Sequence, residues 1–315
     1  MLIPIEVSVV IPVYNNSDSI EELADRLSNT LVDCTTQHEI VFVNDGSTDD
    51  SMEILRKVAK RLPAVKVICL SKNYGQHPAI CAGFEHARGA AIVLMDADLQ
   101  DSPEDITSLI DKLRDTEADI VYTVKNFDIK KPTSRITSTI YHRVFSRIVS
   151  TKVPENIGTF RIFNRSFLHA VLQFKESNIL YGPLMFYMGF KSCFHELPYR
   201  LRPHGKSSYT FSKRLQLAVN SLISYTDIPH KASIAFGAVL LLLTATYTVT
   251  IVAQYLLFGS SLPGGSTLIL LVLCLTLGSV MTSLGIIGSY VFRVYQQVLQ
   301  RPRYLIQEKI NLRDY

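Results

Sequence analysis

The chain has 315 residues, 47% of them hydrophobic, a net charge of +4 and no tryptophan. That length accommodates one sizeable domain and something more. So small a positive charge predicts no nucleic-acid partner and makes the placement of the basic residues the informative quantity. The five cysteines, at 34, 69, 81, 193 and 274, have no Cys-x-x-Cys or metal-ligand spacing, which argues against a disulfide framework and for reduced, buried thiols.

Residues 2–13 are apolar but contain Glu6 and Pro12 and lack a basic leader, so they read as a strand and not as a signal peptide. A turn, Asn15-Asn16-Ser17-Asp18, follows, and then Ile20, Leu23, Leu27 and Leu31 at helical spacing. This strand, turn and helix recur. Residues 39–43 precede a helix through Met52, Ile54, Leu55 and Val58, and residues 65–70 one through Ile80 and Phe84. Residues 91–95 precede a helix with Ser102 as expected N-cap and Pro103 at its first position. The alternation predicts an α/β, Rossmann-like, mostly parallel sheet with helices on both faces and ligands beyond the carboxyl ends of the strands. Asp45, Asn73 and Asp96 all fall on that edge.

The stretch 92–101 is an apolar strand that empties into Asp96, Asp98 and Asp101. The period of two along an extended chain sets Asp96 and Asp98 on one side, where like charges repel unless a cation lies between them, so the pair predicts Mg²⁺ or Mn²⁺. A solvated Asp-rich turn is the competing reading. In Asn44-Asp45-Gly46-Ser47-Thr48-Asp49, Gly46 permits a tight turn and Asp45 can accept from a nucleotide ring N–H or hydroxyl. Ser47 or Thr48 would cap the next helix. His77, in the loop after the third strand, is expected to be structural. A Gly-rich phosphate loop is absent, which leaves the metal and basic side chains to neutralise any pyrophosphate.

Past residues 120–124 the character changes. A segment at about 133–150 sets Arg135, Arg143 and Arg147 among apolar residues, as expected of a helix lying on a lipid interface; a solvated surface helix is the alternative. Residues 210–231 have a similar balance and are expected along the bilayer. Residues 156–165 and 200–209 bring cations and hydroxyls toward the expected membrane face, as an anionic headgroup or pyrophosphate requires. No charge occurs in 233–258 or 260–292, which predicts two membrane helices, about 233–258 and 267–292, within 232–293. Lys213, Arg214 and Lys231 before them and Arg293, Arg301 and Arg303 after them place both termini in the cytoplasm. The expected domains are a cytosolic 1–209, the juxtamembrane 210–231, the membrane hairpin and a cytosolic tail 294–315.

Three motifs, Val9-Val10-Ile11-Pro12-Val13-Tyr14-Asn15, residues 44–49 and Asp96-Ala97-Asp98-Leu99-Gln100-Asp101, together with Gly285-Ile286-Ile287-Gly288-Ser289-Tyr290 and Arg301-Pro302-Arg303-Tyr304, resemble the family 2 glycosyltransferases that load sugars onto polyprenyl phosphates, bactoprenol glucosyltransferases among them. Residues 73–84 are most similar to the branch that transfers 4-deoxy-4-formamido-arabinose to undecaprenyl phosphate. The resemblance implies a GT-A fold, a homotetramer in the bacterial inner membrane, and inverting transfer from a nucleotide-diphosphate sugar, UDP-linked, with Mg²⁺ or Mn²⁺. It implies substrate binding by Pro12, Tyr14, Asn15, Asp45, Asn73, Gln76, Asp96, Arg202, Lys206 and Ser207, metal ligation by Asp98, Asp96 and Gln100, and catalytic roles for Asp98, Thr159 and Arg161.

Two departures stand out. Thr159, in Gly158-Thr159-Phe160-Arg161, occupies a place where many members carry Asp, and Ser208 one where many carry Lys. A phosphate acceptor is already anionic at neutral pH, so Thr159 is expected to orient it while Arg161 and the metal screen it. A processive polysaccharide synthase is disfavoured by the missing further spans and Gln-x-x-Arg-Trp signature. The alternative is a non-catalytic, membrane-anchored sugar-nucleotide-binding protein.

Overall fold

β-branched and aliphatic residues on both faces make β1 (Val7–Val13), β2 (His38–Asn44), β3 (Val65–Leu70) and β4 (Ala91–Leu94) a doubly covered parallel core, with β1 between β2 and β4. The computed structural model describes residues 5–126, 157–176, 179, 181–198, 200, 228–258 and 265–312. The expected interface helix at 133–150, nearly all of the juxtamembrane segment, and Arg202, Lys206 and Ser207 lie outside the described residues. The chain divides into two units, Met1–Thr210 with Pro302–Tyr315, and Phe211–Arg301.

In the first unit, α1 (Ser17–Cys34), α2 (Ser51–Arg61) and α4 (Asp105–Thr116) bury their apolar stripes on one face of the sheet. The other face is covered by α3 (Gln76–His86), α5 (Arg165–Gln173) and α6 (Tyr181–Tyr187). Of the free thiols, Cys69 and Cys81 are buried, as expected, whereas Cys34 and Cys193 are only half-buried. With β5 (Ile120–Asn126), β6 (Ile157–Asn164), β7 (Ser192–Pro198) and β8 (Ile306–Ile310), the sheet runs β7-β5-β6-β4-β1-β2-β3-β8.

The sheet is mixed. β6 lies antiparallel to both β4 and β5, and β8 antiparallel to β3; antiparallel partners need no crossover helix, so they leave no trace in a strand–helix alternation. Residues 157–165 are therefore not a basic surface cluster. Phe160 and Ile162 enter one core, while Arg161 and Phe163 face the α3 side. Arg165 begins α5 and donates to the Ala87 and Gly89 carbonyls, at the opposite end of β4 from Asp96.

Two helix starts also differ from expectation. α2 opens at Ser51, because Ser47 Oγ accepts from Asn15 N (3.1 Å) and joins two loops instead of capping. α4 opens at Asp105, because Ser102 Oγ donates to Glu104 (2.5 Å) and accepts from Arg26 (2.9 Å). The tail read as a plain cytosolic extension supplies β8, which covers the β3 edge. Arg56 pairs with Glu308 (2.6 Å), and Asn311 Nδ2 donates to the Ala59 and Val65 carbonyls (2.8 and 2.9 Å).

The second unit contains α7 (Ile228–Phe258) and α8 (Gly265–Val298). Among the described residues one stretch, Ala235–Leu257 of α7, is long and apolar enough to cross a membrane; α8 carries a shorter one, Thr276–Phe292. Small and hydroxyl residues dilute α8. The hydroxyls of Thr276, Thr282 and Ser289 donate back to carbonyls one turn earlier, which satisfies them without water.

Candidate active site

β4 stops at Leu94, earlier than the expected strand, although Met95 N still donates to Val10 O (3.1 Å). Asp96 and Asp98 therefore sit in a turn, and the turn, not a strand period of two, brings them together. Asp98 Oδ1 accepts from Gln100 N (3.0 Å), and Ser19 Oγ of α1 donates to Ala97 O (2.6 Å). Leu99 adopts φ 57°, a left-handed conformation that costs a non-glycine residue about 1–2 kcal/mol. Its side chain is buried in the core formed with α1 and α4, which offsets the strain. The turn is thus held from several sides in a shape it would not adopt alone.

Burial raises the Asp96 carboxyl to about 6, and the neighbouring charges of Asp98 and Asp101 push the same way; the Thr159 hydroxyl, hydrogen-bonded to Asp96, and Lys125 pull it back. Gln76 Nε2 donates to Asp96 Oδ1 (2.9 Å). Lys125 Nζ lies 2.7 Å from Asp101 Oδ1, both side chains largely buried. No group of three His, Cys, Asp or Glu side chains placed to hold a metal occurs among the described residues. Two mutually repelling carboxylates nonetheless fit a magnesium-like ion, which binds through one or two carboxylates and takes its other oxygens from phosphate and water.

The neighbouring loops are joined to one another. Asp45 is buried and accepts from Tyr74 N through Oδ1 (2.7 Å) and from Gly75 N through Oδ2 (2.8 Å). Its pKa is raised to about 6 by burial, against these two bonds. Gly46, at φ 62°, passes so close that an added Cβ would lie 2.4 Å from Lys72 C. Asn15 Oδ1 accepts from Thr48 N (2.9 Å). Pro12 is half-buried, whereas Tyr14 and Asn73 are exposed. Pro12, Tyr14, Asn15, Asp45, Asn73, Gln76, Asp96, Asp98 and Gln100 thus gather at the carboxyl edge of β1–β4, and Asp45 acts there as the anchor of the loop after β3.

Thr159 lies against Asp96. Arg161 is turned inward: it is 5% exposed, and its Nε and Nη2 donate to the Thr159 and Gly158 carbonyls (both 2.9 Å). Its guanidinium also lies 5.4 Å from the Tyr122 ring centroid and 3.5 Å from Met185 Sδ. In this geometry it fixes the Gly158–Thr159 backbone, and its side chain does not face outward toward a phosphate. His77 is lowered to about 4 by burial and by Arg161, a neutral imidazole in keeping with a structural role. Lys125 and Ser19 belong to the site without having been singled out by sequence reasoning, and Asp101, named there as a carboxylate of the turn, is the partner of Lys125. A lysine in an otherwise apolar strand was the available signal for the first.

Comparison with known proteins agrees with this arrangement. Residues 8–172 match Glycosyl transferase family 2. An uncharacterized glycosyltransferase of Synechocystis sp. is 33% identical over 305 residues, covering 96% of this chain and 95% of its own. The undecaprenyl-phosphate 4-deoxy-4-formamido-L-arabinose transferase of Edwardsiella ictaluri is also 33% identical, over 96% and 94%. Among solved structures, glucosyl-3-phosphoglycerate synthase from Mycobacterium tuberculosis, in complex with Mn²⁺, UDP and glucosyl-3-phosphoglycerate, superposes with a TM-score of 0.52 at 16% identity, covering 70% of this chain and 79% of that one. The mixed GT-A-like sheet, the aspartate turn at its carboxyl edge and the near full-length relatives converge on one conclusion: this chain is a glycosyltransferase and belongs to glycosyl transferase family 2.

Proposed function

We propose that the protein transfers a sugar, with inversion, from a UDP-linked donor to a polyprenyl phosphate at the cytosolic membrane face, using Mg²⁺ or Mn²⁺. The observation that carries the reading is the strained Asp96–Asp98 turn, with Gln76 and Thr159 bonded to Asp96, at the edge where a parallel sheet receives nucleotides. The transferases of Edwardsiella and Klebsiella that match nearly the whole chain are named for undecaprenyl phosphate, and the fold neighbour holds Mn²⁺ with UDP.

The acceptor phosphate oxygen forms a bond to the anomeric carbon while the bond from that carbon to the diphosphate oxygen breaks, and the nucleoside diphosphate leaves. A bound divalent ion would supply charge stabilisation for that diphosphate, with Asp98, Asp96 and Gln100 as the residues to hold it. Gln76 and Thr159 hydrogen-bond Asp96 and fix the orientation of its carboxyl. The acceptor arrives as an anion, so placement substitutes for a base. That fits a threonine at position 159, since a carboxylate there would meet Asp96 directly.

Chain connectivity supports a membrane hairpin. The chain leaves the first unit after Thr210 and rejoins it at Pro302 to form β8. A crossing by α7 therefore requires a return, and α8 is the helix available to make it. A homotetramer completes the proposed assembly.

A panel of nucleotide sugars screened with Mn²⁺ for thermal stabilisation tests donor binding, since a ligand of the folded form alone raises apparent stability. UDP-linked sugars should raise the midpoint. A panel without effect would contradict the donor site.

A further inference from the structure

α3 has an unusual pair of anchors. At its start, Gln76 reaches Asp96, but the N-cap is Gly75 and no side-chain cap bond is made. Along its length it approaches β1 through Gly83, where an added Cβ would lie 2.3 Å from Val10 Cγ1. The next residue, Phe84, is fully buried edge-on against Phe163 (5.4 Å) and Tyr181 (5.3 Å). A slide of only about 1 Å along the axis would carry the Gln76–Asp96 bond beyond hydrogen-bonding range, so every contact that holds the axial position of α3 bears on the site.

The C-terminal strand supplies the second anchor. β8 pairs with β3, with Cys69 opposite Glu308 and Leu70 opposite Ile306, and Ser71 N donates to Leu305 O (2.9 Å). This register brings Arg303 and Tyr304 against the far part of α3. Arg303 Nη1 donates to Cys81 Sγ (3.1 Å) and Nη2 to the Phe174 carbonyl just beyond α5 (2.6 Å). The Tyr304 hydroxyl donates to Glu85, one turn after Cys81 on the same face. Cys81 also hydrogen-bonds Tyr181 of α6, whose ring lies 5.9 Å from that of His77.

We propose that Arg303 is a positioning residue of the donor site. Docked on Cys81 and the Phe174 carbonyl, it holds α3 where Gln76 meets Asp96, so that the strand following the last apolar helix completes the site. The inference rests on the donor-site reading above, and Mn²⁺–UDP is the probe that separates the two. Calorimetric titration of the full-length protein should show Arg303→Met weakening Mn²⁺–UDP about tenfold and Tyr304→Phe weakening it less, with Arg303→Lys recovering part of the loss. In transfer assays the donor KM should rise, while kcat and the KM for the lipid stay within about twofold. The double variant Gln76→Ala/Arg303→Met should bind no more weakly than Gln76→Ala alone. Unchanged affinity in both Arg303→Met and Tyr304→Phe, or additive losses in the double variant, would overturn the proposal. Should Arg303→Met fail to fold, the cycle of Tyr304→Phe with Gln76→Ala decides by the same criterion. A wild-type protein that binds no Mn²⁺–UDP contradicts the donor site itself.

Discussion

Gly46→Ala is the sharpest structural perturbation of the proposed donor edge. The added Cβ would lie 2.4, 2.6 and 2.9 Å from Lys72 C, Asn73 N and Lys72 Cα, all backbone atoms that cannot swing aside. Holding a non-glycine residue at φ 62° costs about 1–2 kcal/mol, and overpacking against fixed atoms about 1–3 kcal/mol. The sum, about 2–5 kcal/mol, is a large fraction of a typical stability of 5–15 kcal/mol, yet it can be relieved if the loop after β3 retreats. That retreat would pull Tyr74 N and Gly75 N from Asp45 and carry Gln76 away from Asp96. Gly75→Ala is the control, since its φ of 102° imposes strain while nothing lies within 4 Å of the added carbon. Thermal denaturation and Mn²⁺–UDP titration should show Gly46→Ala losing both stability and affinity. Wild-type affinity and an unchanged midpoint would refute the claim that this close approach sets the donor loop.

Asp45 should leave a signature in the pH dependence of stability. Its folded pKa of about 6 lies above the ordinary 3.8, so its contribution is full below about pH 4 and is lost as pH rises through 6, by at most about 3 kcal/mol. Between pH 4 and 7, Asp45→Asn should therefore gain up to that amount relative to wild type in denaturant titrations; parallel profiles would show that burial does not raise this carboxyl. Lys125→Met strands Asp101 in a largely buried setting, and removing one partner of such a pair costs about 3–5 kcal/mol. Lys125→Met/Asp101→Asn should recover part of the loss, and an unaltered unfolding free energy in the single variant would show the pair to be inconsequential. Thr159→Val removes a hydroxyl bonded to Asp96 and should raise the divalent-ion concentration needed for half-maximal transfer about tenfold; an unchanged metal requirement would disconnect Thr159 from Asp96.

β1 to β4 and α1 to α4 are legible in the sequence because each buries a regular stripe against the residues that follow it in the chain. β6 is less legible, since Thr159 and Arg161 place polar groups at positions that an inward-facing strand normally fills with hydrocarbon. β8 is hidden for a different reason: its partners are distant, Glu308 meeting Arg56 across 252 residues, and no local period announces such a pairing. At the site, residue types at the carboxyl edge are readable but their partners are not. Asp45 as the anchor of a loop, Arg161 folded onto its own strand and Lys125 on Asp101 all depend on register between strands, which composition does not encode.

The central claim is metal-dependent transfer to a lipid phosphate. Its most direct measurement follows labelled sugar from a UDP-linked donor to undecaprenyl phosphate, with Mn²⁺ or Mg²⁺ and with chelator, in the wild type and in Asp98→Asn. Transfer that requires the ion and falls at least about a hundredfold in Asp98→Asn is the predicted result. Donor binding without any transfer to the lipid phosphate, or transfer indifferent to chelator and to Asp98, would contradict it.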